Sequence, residues 1–276
     1  MAAGHRQEQT APAAVGPRGL AAALGPGLLE PHFQAVVDCD TGALRAVEAL
    51  ARWRTADELI EGEDLVALAE RAGACALLDA EMLRLAVKQV SAWRQLPGLR
   101  ELELHANLSP ASLRDPGLAE RIERTCQDAG MDPEALWMEV TETSVIDDLP
   151  EAATTLSALR RLGVRIWVDD FGAGYASLAY VKQLPIDGVK IDRSFIADID
   201  CSRTGRAIVA AVVSLASPLA LGVIAEGVES ARQAAVVRRL GVHATQGFYH
   251  GRPQAPSDGI GGLPCSEAAA RSRRAP

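Results

Sequence analysis

Short β-type runs that carry an acidic, amide or basic side chain at or near their ends recur along the whole chain. They are Val47-Glu48-Ala49-Leu50-Ala51-Arg52-Trp53, His105-Ala106-Asn107, Met138-Glu139, Trp167-Val168-Asp169-Asp170, Val189-Lys190, Ile224-Ala225-Glu226 and Thr245-Gln246. In the first of them, valine, alanine and leucine surround Glu48, and burying an unpaired carboxylate costs several kcal/mol. A single run has a bland explanation, because Arg52 lies four residues on and shares a strand face with Glu48. The recurrence has no such explanation. It describes strands whose polar ends meet at one rim of a barrel.

Taken in order, the chain supports that layout. Residues 1–28 are rich in Ala, Gly and Pro and are expected to be a disordered tail. Residues 33–38 and 44–53 read as strands joined by the turn Asp40-Thr41-Gly42, and so short a connection implies an antiparallel hairpin. Residues 64–73 and 76–95 follow with helical spacing. Strands near 101–107, 136–140, 164–169, 187–191, 221–225 and 243–247 then alternate with helices near 117–129, 150–162, 204–217 and 229–240, with a shorter helical turn near 177–183. Gly130, Gly163 and Gly241 fall just past helix ends, where a left-handed cap suits glycine. With the hairpin this makes eight strands, a modified (β/α)8 barrel whose first strand is antiparallel. The barrel domain is expected over 29–254, and the Gly-, Ala- and Ser-rich 255–276 as a second disordered tail.

Charge and cysteine content narrow the function. A formal charge of −8 and a pI near 5.2 speak against a nucleic-acid polymer as partner. The five cysteines are scattered and form no C-x-x-C pair, so a reduced cytoplasmic setting is expected, with neither a zinc knuckle nor a disulfide framework. The uncharged stretch 207–225 is long enough to suggest a membrane span, but Pro218 and Gly222 divide it into a buried helix and a strand.

In such barrels the C-terminal strand ends form the catalytic face. Glu48, Asn107, Glu139, Asp169, Asp170 and Glu226 are all expected at such ends, with Lys190 the one obvious cation among them and no His or Cys nearby. Carboxylates that close need added positive charge to stay ionised. An oxygen-only donor set selects Mg²⁺ or Mn²⁺, and adjacent aspartates invite a second ion, an arrangement suited to phosphoester cleavage.

The blocks EALARW (48–53), NLSP (107–110), MEVTET (138–143), DDFGAGYASL (169–178), VKIDRSF (189–195), AEGVE (225–229) and QGF (246–248) followed by Arg252-Pro253 closely resemble the EAL-domain cyclic-di-GMP phosphodiesterases. The resemblance spans residues 31–254. It implies hydrolysis of cyclic di-GMP to linear pGpG and a homodimer. It implies that Glu48, Asn107, Glu139 and Asp169 hold the metals, with Asp170 at a second ion and Glu226 completing the set. Lys190 would touch the attacking water, with Gln246 beside it; Gln34 and Arg52 would contact the dinucleotide, with Leu50 lining the site. Glu142 would anchor the loop 171–178. The chain departs from the family pattern at Ala35, Gly62, Leu65, Ala173 and Ala176, none of them a proposed ligand. Two other readings compete: a silent relative that binds the dinucleotide or a protein partner, and a barrel acting on another phosphodiester.

Overall fold

The computed structural model describes residues 28–54, 59–146, 149–172 and 183–258. Strands β1 (Leu29–Asp38) and β2 (Leu44–Arg54) form the expected antiparallel hairpin, and β3 (Leu59–Glu61) extends it beyond the barrel. Helices α1 (Gly62–Arg71) and α2 (Cys75–Arg94) lead to β4 (Glu103–Asn107). The order continues α3 (Pro110–Leu113), α4 (Leu118–Ala129), β5 (Leu136–Thr141), α5 (Glu142–Ile146), α6 (Leu149–Arg161) and β6 (Arg165–Phe171). It ends β7 (Gly188–Ile191), α7 (Arg203–Ala216), β8 (Gly222–Ala225), α8 (Ala231–Arg239) and β9 (Ala244–Gln246).

The sheet closes. Strands β2, β4, β5, β6, β7, β8 and β9 are parallel in sequence order, and β1 seals the ring by pairing antiparallel with both β2 and β9. This is the modified barrel of eight strands, with β3 outside the count. The turns behave as their residues require: φ is +65° at Gly130, +96° at Gly163 and +87° at Gly241. The uncharged stretch resolves into α7, a 3₁₀ turn (Ser217–Leu219) and β8. Among the described residues no helix is long and apolar enough to cross a membrane.

Three elements were not legible in advance. Segment β3 is only three residues long, and α3 and α5 are single turns, too short for a period to show. Helix α3 nevertheless has a local cause: Ser109 caps it by accepting from the Ser112 amide, and Pro110 occupies its first turn. The helical turn expected near 177–183 lies almost wholly outside the described residues.

Alternation along the strands sends one set of side chains outward, under the helices, and the other into the lumen. Outward residues such as Val47, Leu104, Met138 and Val168 belong to one large core with the helices. The lumen holds a separate cluster of Val36, Ala46, Trp137, Trp167, Ile224 and Ala244. Trp137 and Trp167 stack with centroids 4.8 Å apart, and the guanidinium groups of Arg45 and Arg165 lie over Trp137 at 5.2 and 5.1 Å. These aromatic layers plug the barrel at the strands' N-terminal side. The functional side chains rest on them.

Candidate active site

Above the tryptophans, the lumen-facing positions become polar. Glu48, Leu50 and Arg52 share the inner face of β2; His105 and Asn107 that of β4; Trp137 and Glu139 that of β5. Lys190 enters from β7, Gln246 from β9, Gln34 from β1, and Glu226 from the first position after β8. The expectation that all of the carboxylates sit at strand ends needs correction. Glu48 is at the middle of β2 and Glu139 within β5. For Glu48 the reason is that β2 runs on past the rim to pair with β3, Arg52 facing Glu61 in register.

Lys190 organises the centre. Its ammonium lies 3.1 Å from Glu48, 2.9 Å from Glu139, 3.5 Å from Asp169 and 2.6 Å from Glu226, and its side chain is wholly buried. Burial pulls the lysine toward neutrality, but Asp169, Glu139, Glu226 and Glu48 outweigh it and hold the pKa well above the usual range. Burial pushes Glu48 up too, yet Lys190 and hydrogen bonds from Gln246 and Asn107 bring its pKa down to about 2. Asn107 Nδ2 donates to Glu48 Oε1 at 2.8 Å, and Gln246 Nε2 donates to Glu48 Oε2 at 2.6 Å. Gln246 also donates to Gln34 Oε1 at 3.1 Å, and Gln34 in turn donates to the Gly251 carbonyl at 3.1 Å.

Asp169 and Asp170 would point to opposite faces of a regular strand. The register of β6 against β7 shifts between Val168 and Phe171, and Asp170 sits in the left-handed region at φ +53°. An aspartate tolerates that conformation better than most residues. The irregularity turns both carboxylates toward Glu226, with an oxygen from each of the three within 4.8 Å of the others. Burial, then the charges of Asp169 and Asp192, push Asp170 up to about 6; burial leads the rise of Glu226 well above the carboxylate range. Oxygen donors at this spacing suit a hard divalent cation.

Two neighbours escaped the sequence reading. The expectation of no histidine nearby is wrong: His105 Nδ1 lies 2.6 Å from Glu139 Oε1, both side chains completely buried. Asp192 lies near Asp170, and its charge helps raise the Asp170 pKa. His105 lies two residues from Asn107 on the same face of β4, and Asp192 lies two residues past Lys190, just beyond the end of β7; that spacing was the available signal. The bland pairing of Glu48 with Arg52 is also absent. Arg52 Nε is 2.6 Å from Glu61 Oε2 on β3, although Arg52 does share the face of Glu48. Glu142 is buried, and its Oε2 accepts from the Gly172 amide at 3.3 Å. Of the loop 171–178, only Phe171 and Gly172 are within the described residues; Ala173 and Ala176 are not.

Comparison with known proteins points one way. The profile of the EAL domain family matches residues 18–253. The cyclic di-GMP phosphodiesterase NbdA of Pseudomonas aeruginosa is 36% identical over 226 residues, 82% of this chain and 29% of that protein. The solved PaMucR phosphodiesterase in complex with c-di-GMP superposes with a TM-score of 0.81 at 34% identity, covering 87% of this chain and 98% of that one. BlrP1 of Klebsiella pneumoniae, solved with manganese and c-di-GMP, gives a TM-score of 0.74 at 32% identity, over 84% of this chain and 57% of that one. The chain spans about a third of the length of the curated relatives it matches, 32%, 28% and 29% of the first three.

Proposed function

This chain belongs to the EAL domain family, and from that membership and the site just described we propose that it hydrolyses cyclic di-GMP to linear pGpG. The observation that carries the reading is Lys190, an ammonium ringed by Glu48, Glu139, Asp169 and Glu226 at the catalytic end of the barrel. Asp169, Asp170 and Glu226, with Glu48, Asn107 and Glu139, would hold two divalent cations, Mg²⁺ or Mn²⁺. Bound there, they would make hydroxide available near neutral pH and offset charge on the phosphoryl oxygens.

The protein's own groups do the rest. Lys190 holds the attacking water and lends positive charge to the phosphorane-like transition state, while Gln246, two strands away on β9, orients the same water. Attack on phosphorus occurs in line: the water's oxygen bonds to phosphorus as its proton passes to solvent, the P–O3′ bond breaks, and the 3′ oxygen leaves with a proton from solvent. Gln34, Leu50 and Arg52 line the adjacent lumen and bind the dinucleotide, with Glu61 holding the Arg52 guanidinium in place. A homodimer in a reducing cytoplasm completes the reading; Cys39, Cys75, Cys126 and Cys201 are all free thiols.

The test is chromatographic detection of pGpG after incubation with cyclic di-GMP and Mg²⁺ or Mn²⁺. Turnover is expected to stop in excess chelator, and Ca²⁺, with longer and looser coordination, is expected not to support it. Tight binding without product would assign the chain to the silent receptors. Equal cleavage of unrelated phosphodiesters would leave a general phosphodiesterase.

A further inference from the structure

Histidine at position 105 is buried directly beneath the carboxylate layer, where an apolar side chain would pack more cheaply. In the β4–β5 register His105 pairs with Trp137 and Asn107 with Glu139, so the imidazole lies one step below Glu139 on the adjoining strand. Its ring stacks on Trp137 with centroids 4.7 Å apart and faces Trp167 at 6.0 Å. The two oxygens of Glu139 are thereby divided: Oε1 meets His105 Nδ1 at 2.6 Å, and Oε2 accepts from Lys190 at 2.9 Å.

We propose that His105 is a positioning residue, whose Nδ1–H fixes the carboxylate plane of Glu139 so that the cation site is assembled before a cation arrives. A carboxylate on a flexible side chain has several rotamers to choose from, and the ordering of one ligand before binding raises affinity without adding a contact. Here the orienting donor is itself immobile, because Trp137 and Trp167 fill the lumen below it. Partners one shell removed from a metal act in this way, and their loss costs about 10–100-fold in metal affinity or activity. His105 touches neither substrate nor reacting atoms in this arrangement. Its effect therefore belongs in kcat and in cation affinity, and not in KM.

This inference rests on the phosphodiesterase reading, and the experiment separates the two. His105→Asn places an amide N–H near the position of Nδ1 but leaves space; His105→Leu fills more of the space but has no donor. Pure packing would favour Leu, whereas positioning favours Asn. Mn²⁺ affinity is measured without nucleotide by electron paramagnetic resonance on the full chain, beside kcat, KM and the melting temperature. The expected result is a folded Leu variant that binds Mn²⁺ about 10–100-fold more weakly, with kcat reduced and KM within about twofold. The Asn variant is expected to stay within a few-fold of wild type in both, despite a lower melting temperature. Should the Leu variant fail to fold, His105→Met supplies a flexible apolar filler for the same comparison. Equal Mn²⁺ affinity in wild type and the apolar variant, or an Asn variant as weak as the apolar one, would overturn the inference. A wild-type chain that binds no Mn²⁺ and releases no pGpG would instead overturn the reading beneath it.

Discussion

Trp167 occupies the space that a side chain at Gly188 would need: a Cβ built on that glycine lies 2.6 Å from the indole. Gly222, paired with Gly188 across β7 and β8, borders the same ring, with a Cβ again 2.6 Å away. The indole is locked between neighbouring strands and stacked on Trp137, so it has little room to give. Gly188→Ala is expected to destabilise the protein by about 1–3 kcal/mol through overpacking. Urea unfolding measures it, and a midpoint equal to wild type would mean that the ring moves freely after all.

Lys190 is the cation among four carboxylates, and its removal leaves them buried and unbalanced. Lys190→Met is expected to lower stability in chelator by about 3–5 kcal/mol. Added Mg²⁺ or Mn²⁺ should restore part of that loss, while hydrolysis stays down by roughly 100-fold or more. Thermal melts with and without cation decide the point. A variant as stable as wild type in chelator would show that the carboxylates are already neutral without the ammonium.

The raised Asp170 pKa, about 6, predicts a pH dependence of cation binding. Burial first, then Asp169 and Asp192, favour the protonated form, so below about pH 6 a proton occupies the carboxylate that a cation needs. Affinity should rise as pH increases through that value, by about tenfold per proton released between pH 5 and 7. Titration calorimetry in buffers of different ionisation enthalpy measures both the affinity and the proton release. Binding that is equal at pH 5 and pH 7, with no proton released, would contradict the assignment.

Glu142 reaches across thirty residues to the Gly172 amide, just after the two aspartates at the end of β6. Glu142→Gln should lower kcat and weaken apparent metal affinity several-fold, because a shift of about 1 Å at Asp169 or Asp170 is enough to disturb the geometry. Metal titrations of activity at matched protein concentration provide the comparison. Identical cation dependence and identical kcat would make Glu142 a mere buried polar group.

Much of this molecule is legible from local pattern. The period of two in the strands, the period of 3.6 in the helices and the short Asp40–Gly42 turn determined the alternation, the antiparallel hairpin and the closed barrel of eight strands. The same pattern placed Glu48, Asn107, Glu139, Asp169, Lys190, Glu226 and Gln246 in one layer, because a strand's inner face is decided by its own apolar neighbours. Tertiary structure alone decided the partners. Arg52 turns to Glu61 and leaves Glu48 to Lys190, since β3 supplies a carboxylate that only folding brings near. Asp169 and Asp170 face the same way because the ladder to β7 slips at that point. His105 reaches Glu139, and Trp167 lies over Gly188 and Gly222, because barrel closure sets the stagger between strands. Periodicity encodes which face a residue takes; the depth at which it meets a neighbour depends on strand register and lumen packing, and both arise from contacts between residues far apart in the chain.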